Sequence, residues 1–442
     1  MQQVYSRDIY HGLPVFPDAE HGLSAIITGA NGISGHYMLR VLSQSPQRWT
    51  KIYCLSRRPP YISSDTVPIS TNVEHIAVDF LQEPEKIAAT LQGSQVQATH
   101  VFFFSYLQPP PRSGRGLWSD APEMTRVNTI LLNNFLKALT LAKIQPRRFM
   151  LQTGAKHYGG HLGPTKVPQE ESDPRIEIDD EPNFYYPQED ALSQYCGASG
   201  GRTQWNVLMP GPVLGAVPDA AMNLAFPLAV YATVCRVLHE PLQWPGDASA
   251  WQMHSSMSSA MMNAYMEEWA VLTPAAANQR FNACDGGAFT WEGFWPKLAA
   301  WYDVDWTGPQ DGTEYVETMT LYNPRGYGGR GVSRRTFTMV AWAKQEKVRN
   351  AWSNLAVEHG LTTRELGDVD RIFGFLDGAL CRSSPLMFSV DKARKLGWHG
   401  FVDTADSLLA VFTDLARIKM IPPMPDLAAT QPIQDTVAPA SD

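Results

Sequence analysis

Cysteine is scarce and scattered in this chain: five residues, at positions 54, 196, 235, 284 and 381, with no C-x-x-C pair among them. An odd, widely spaced set offers neither a disulfide framework nor a zinc site, so no metal is expected. A basic excess is missing too. Lys and Arg number 36 against 44 Asp and Glu, a net charge of −8, which leaves no footprint for nucleic acid. Long apolar runs are absent: the longest, 220–235, is interrupted by Asn223, Pro227 and Thr233 and is too short to span a bilayer. The opening Met1-Gln-Gln-Val-Tyr-Ser-Arg-Asp8 carries no apolar h-region, so a cytoplasmic location without membrane contact is expected. Finally, no tyrosine is followed four residues later by a lysine. The Tyr-x-x-x-Lys pair of ordinary short-chain dehydrogenases is therefore not available on one helix.

What is present is a globular composition, with 44% hydrophobic and 18% charged residues, and a rhythm of strands alternating with helices. Expected strands lie at Leu23–Thr28, 52–55, 75–78, 99–104, Arg148–Gln152 and 205–208, with helical spacing between them. This rhythm predicts an α/β, Rossmann-like, doubly wound parallel sheet over 23–215, preceded by an arm at 1–22. Past 215 the chain turns rich in Trp, Met and Ala, with helical stretches near 222–238, 256–270 and 291–302. A smaller, mainly helical substrate lobe is expected over 216–420, then a disordered tail at 421–442 rich in Pro, Ala, Thr and Asp. The Gly/Arg-rich segment at 323–332 reads as a loop or lid.

The first strand ends in Gly29-Ala-Asn-Gly32-Ile-Ser-Gly35 and runs into a helix. Residues without a Cβ at such a turn let the backbone approach a pyrophosphate at the helix N-terminus. An NAD site usually places an acid after the second strand. Here Arg57 and Arg58 stand there instead, and guanidinium forks suit a 2′-phosphate, so the expected cofactor is NADPH/NADP+. Asp79, at the end of the third strand, is placed near the adenine. Across the strand ends the cofactor is expected to meet Gly29, Asn31, Gly32, Ile33, Gly35, Arg57, Arg58, Asp79, Phe80, Ser105, Thr153, Lys156, Tyr185, Pro210 and Val213.

Catalysis is assigned to Lys156, just after the fifth strand, and Tyr185, at the start of the next helix. A free phenol with pKa near ~10 handles protons poorly at neutral pH unless a cation lowers it, and Lys156 is the available cation. The alternative for both is plain packing and surface charge. Tyr106, Tyr158, Met222 and Leu224 are candidate neighbours of a small, apolar, carbonyl-containing substrate, against the plainer reading of Met and aromatics as core. His157 and His161 sit four apart in a Gly-rich segment, where that spacing does not put them on one face. An exposed helix face leaves room for a homodimer.

The pieces Thr28-Gly-Ala-Asn-Gly-Ile-Ser-Gly35, Ser56-Arg-Arg-Pro59, Thr99-His-Val-Phe-Phe103, Leu151-Gln-Thr-Gly-Ala-Lys-His-Tyr158 and Asn183-Phe-Tyr-Tyr186 resemble the progesterone 5β-reductase/iridoid synthase family. These are atypical extended short-chain dehydrogenases, with fungal members associated with secondary metabolism. Met222-Asn223, Phe281-Asn282 and Phe289-Thr-Trp-Glu-Gly-Phe-Trp295 extend the resemblance to about residue 305. It implies Lys156 and Tyr185 as the catalytic pair and reduction of the C=C bond of enones or enals with NADPH. Carbonyl reduction, or a non-redox cyclisation or isomerisation on the same scaffold, stay open. The chain departs from the family at Met209-Pro210, at Tyr106 and through Gly159-Gly-His-Leu-Gly163.

Overall fold

Strand β1 (Leu23–Thr28) is buried on both faces, as a central parallel strand must be when helices cover each side. In the computed structural model, which describes residues 3–17, 20–62, 72–110, 118–219 and 222–425, it pairs in parallel with β2 (Trp49–Ser56) on one side and β4 (His100–Phe103) on the other. With β3 (Val73–Ala77), β5 (Arg148–Gln152), β6 (Gln204–Pro210) and β7 (Gln279–Ala283) it completes a seven-stranded parallel sheet in the order β3-β2-β1-β4-β5-β6-β7. The strand order reverses between β1 and β4, and that switch point opens the crevice where such sheets take ligands.

Successive side chains along each strand face opposite ways, and the two halves of the core follow that alternation. Ala25, Ile27, Phe102, Met150 and Leu208 pack in one cluster with α1 (Ile33–Ser43) and α6 (Ala260–Leu272). Ile26, Val101, Phe103, Phe149, Leu151 and Val207 pack in the other, which takes in apolar residues of α2 (Pro84–Gly93), α3 (Ala121–Leu141) and α4 (Tyr185–Ala198). A third core belongs to the helical lobe. It is built from α5 (Ala225–Leu238), α7 (Trp291–Tyr302), α8 (Val369–Leu380), α9 (Thr404–Arg417) and shorter helices between. Much of the tryptophan that could have marked an apolar ligand is spent here: Trp295 and Trp352 are fully buried.

Several expectations meet the structure differently. The boundary at 215 is crossed, because β7 and α6 come from beyond it yet complete the sheet and one of its faces. The arm holds an antiparallel hairpin, Val4–Arg7 with Tyr10–Pro14. Ile421, where the tail was to begin, is fully buried in the helical core, and 426–442 lie outside the described residues. The strands flanking the Gly/Arg-rich segment, Val316–Met319 and Val332–Arg335, form an antiparallel hairpin. Among the described residues no helix is long and apolar enough to cross a membrane.

Candidate active site

The glycine turn shows why no other residue serves there. Gly29 holds φ +63°, and a Cβ on it would come within 3.0 Å of the Phe104 carbonyl. A Cβ on Gly35 would sit 2.4 Å from the Gly29 carbonyl oxygen. The turn thus draws α1 tightly onto β1, closed by the Gly32 N–H donating to the Gly29 carbonyl (2.9 Å). Gly32 caps α1 without a side chain, so the first-turn N–H groups face the crevice uncapped, as an anion cradle requires.

A cleft of about 1060 Å³ runs over the strand ends. Gly29, Asn31, Gly32, Ile33, Gly35, Arg57, Asp79, Phe80, Ser105, Thr153, Lys156, Tyr185, Pro210 and Val213 all line it. Arg58 does not: adjacent side chains leaving an extended strand diverge, and its carbonyl instead accepts the Ser56 hydroxyl (2.6 Å). Asp79 faces the cleft while its Oδ1 accepts the Leu81 N–H (3.0 Å), capping the turn after β3.

Lys156 lies in a 3₁₀ turn, Ala155–Tyr158, directly after β5. Asn183 fastens that turn to α4. Its Nδ2 donates to the Lys156 carbonyl (2.9 Å) and its Oδ1 accepts the Tyr185 N–H (3.1 Å). Tyr186 adds a second tie, its hydroxyl donating to the His157 carbonyl (2.7 Å) and accepting the Ile176 N–H (2.9 Å). One tyrosine of the Phe-Tyr-Tyr run therefore faces the cleft and the other anchors it. Beneath, His157 is fully buried, with Nδ1 3.3 Å from Glu189 Oε1.

The Lys156 ammonium sits 3.4 Å from the centroid of the Trp118 ring. Burial pushes its pKa well below the usual lysine range, with Glu181 opposing. The Tyr185 phenol lies over Gly154, whose missing Cβ would stand 3.2 Å from Oη. Burial alone raises this phenol's pKa. No Lys156 contribution stands beside that burial.

Of the substrate candidates, Tyr106 and Met222 line the cleft. Tyr106 donates to Gln108 Oε1, and its ring lies 5.8 Å from that of Phe184. Tyr158 is buried away from the cleft, donating to Asn282 Oδ1 (2.6 Å), because two steps along a 3₁₀ turn point away from Lys156. Leu224 is likewise buried in the helical core at the start of α5. Sequence reasoning missed Trp118, Gln188, Phe375 and Arg382 on the cleft wall and read His161 as a plain loop ring. Phe375 and Arg382 lie past the segment carrying any recognisable pattern, and Trp118 follows a Pro-rich loop; no local signal marks them.

The PRISE-like Rossmann-fold domain matches residues 25–325. The chain is 29% identical over 402 residues to the short chain dehydrogenase gsfE of Penicillium aethiopicum, covering 90% of this chain and 99% of that one. It is 29% identical over 406 residues to (S)-8-oxocitronellyl enol synthase CYC2 of Camptotheca acuminata, covering 90% and 93%. Among solved structures, Bordetella bronchiseptica WbmG in complex with NAD matches with a TM-score of 0.53 at 13% identity, covering 92% and 98%, a likeness of fold alone. With that match across most of its length, the chain belongs to the PRISE-like Rossmann-fold family, enzymes of the short-chain dehydrogenase/reductase type.

Proposed function

We propose that this protein is an NADPH-dependent reductase acting on the activated C=C bond of an enone or enal. The observation that carries the reading is the convergence of Lys156 and Tyr185, through Asn183, on the cleft that also holds the uncapped turn of α1. That turn fits a dinucleotide: side chains would fill the space at Gly29 and Gly35, and its N–H groups suit a pyrophosphate. Arg57 on the cleft, with no acid beside it, supports NADPH over NADH. Bound NADPH supplies the hydride, to the β-carbon.

The chain's own residues manage the charge that follows. Tyr185, kept protonated by burial, donates its O–H to the oxygen on which enolate charge develops. A donor already in place for that oxygen stabilises the transition state more than the ground state. Lys156 stands on the same wall, suited to hold the ribose. Tyr106, Met222 and Phe375 give the substrate an apolar wall.

The test is NADPH oxidation across a panel of enones, enals and ketones, with NADH as control. Enone turnover with NADPH should fall on the order of 100-fold in Tyr185→Phe while NADPH affinity holds. Wild-type turnover in that variant would sink the assignment. The enol synthase activity in the name of the Camptotheca acuminata relative favours one second reading, release of an enol for cyclisation, which product analysis separates from the saturated carbonyl.

A further inference from the structure

Beyond the Lys156 turn, one wall of the cleft is made by segments outside the parallel sheet. They are Gly160–Gly163, Thr320–Tyr322 within the 316–335 hairpin, and Arg382–Ser384 after α8. They are fitted closely. A Cβ on Gly163 would collide with the Tyr322 carbonyl, one on Gly331 with the Ser383 side chain, and one on Gly160 would touch Arg382 Nη2 at 3.8 Å. The rewritten Gly159-Gly-His-Leu-Gly163 segment is thus shaped to the strand hairpin and to an arginine.

Arg382 stands half-buried on the cleft wall and spends its donors differently from the buried Arg148. Arg148, by comparison, spends Nη1 on Asn206 Oδ1 (3.0 Å) and the Ala270 carbonyl (3.3 Å). Among the described residues Arg382 donates from Nε alone, to the Ser384 carbonyl (3.3 Å), and no carboxylate pairs with it. Three of the acids that share the cleft have other partners. Asp377 accepts the Met339 and Val340 N–H groups, Asp219 pairs with Arg371 and Asp370 with Lys344. Burial lowers the Arg382 pKa to about 10, with no charge to offset it, still far above neutrality. A guanidinium fork that faces the cleft with its Nη groups unspent is free to take the acceptor of a ligand. His161, next to Gly160 in the chain, opens into the same cleft.

We propose that Arg382 recognises a carboxylate carried by the substrate, its Nη1 and Nη2 groups gripping the two oxygens while the apolar skeleton runs to Tyr185. One planar, singly charged fork matches a carboxylate's two coplanar oxygens and single charge. The identity of the reacting end rests on the reductase reading; the anion site does not.

The test uses linear enones carrying a terminal carboxylate at graded spacer lengths, each beside its methyl ester, with wild type, Arg382→Gln and Arg382→Lys. At the best spacer, wild type should show a KM for the acid on the order of 10- to 100-fold below that of the ester. Arg382→Gln should lose that preference while kcat/KM for the ester and NADPH affinity stay level, and Arg382→Lys should recover part of it. Equal use of acid and ester by wild type at every spacer overturns the proposal, as does an equal loss on both in Arg382→Gln. If wild type reduces no enone, calorimetry on the NADP+-loaded enzyme with the saturated keto acid and its ester decides. Binding of the acid that depends on Arg382 keeps the carboxylate site and sinks the reductase reading; equal binding of the two sinks the carboxylate site.

Discussion

Burial acts on Lys156 and Tyr185 in opposite directions, lowering the amine and raising the phenol. The phenol therefore stays protonated through neutral and mildly alkaline pH and acts as an intact donor. Lys156 is charged below its depressed pKa and loses its proton as pH rises through it. If the ammonium holds the ribose, kcat/KM declines from its low-pH plateau on a limb lying well below 10.5, the ordinary lysine value. Lys156→Arg should carry that limb out of range, because a guanidinium stays charged, and Tyr185→Phe should lower the plateau without moving it. A limb unchanged in Lys156→Arg would remove Lys156 from this role. At this scale the sequence was legible where chemistry is local. Gly29 and Gly35 are glycines because backbone approaches within contact of their missing side chains. Trp118, His161 and Arg382 were not legible, since only tertiary folding brings them beside Lys156 and Gly160.

Among the elements, the joint between the Lys156 turn and α4 decides whether the proposed catalytic pair is brought to the same cleft. Asn183 alone makes both of its side-chain bonds there. Two such bonds stabilise by roughly 1–3 kcal/mol in all, so Asn183→Ala should fold with a modestly lower Tm. Its kcat should fall about tenfold or more, because a misplaced donor costs far more in rate than in stability, with KM little changed. Asn183→Asp keeps the acceptor for the Tyr185 N–H and should recover part of kcat; equal losses in both variants would mean that the joint is merely structural. The six expected strands were readable from apolar runs that end in turn residues. The seventh, Gln279–Ala283, was not, because its polar Asn282 hides the run. That asparagine is nonetheless fully buried, donating to the Gln169 and Ser389 carbonyls and receiving the Tyr158 hydroxyl.

At the scale of the whole molecule, the two lobes expected from the change of composition near 215 share their structure. Strand β7 closes the sheet on β6, and α6 covers α1. A fragment ending at 215 would strip α6 and β7 from the face formed by Ile27, Phe102 and Leu208, leaving α1 alone to cover it, and apolar surface opened on that scale does not stay folded in water. Such a fragment should be unfolded or insoluble, and the full chain should lose the signals of sheet and helical lobe in one thermal transition. A soluble, NADPH-binding fragment would contradict this account. The doubly wound architecture was legible because alternating strands and helices allow few topologies. The helices after 305 were not, because their apolar faces acquire partners only within the third core.

The central claim is that hydride reaches the β-carbon of an enone while Tyr185 holds the oxygen. Deuterium transfer from NADPH labelled on the nicotinamide C4, with the product read by NMR, tests it most directly. One deuterium is expected on the β-carbon for each NADPH consumed. Deuterium on the carbonyl carbon, or product formed with none, would contradict it.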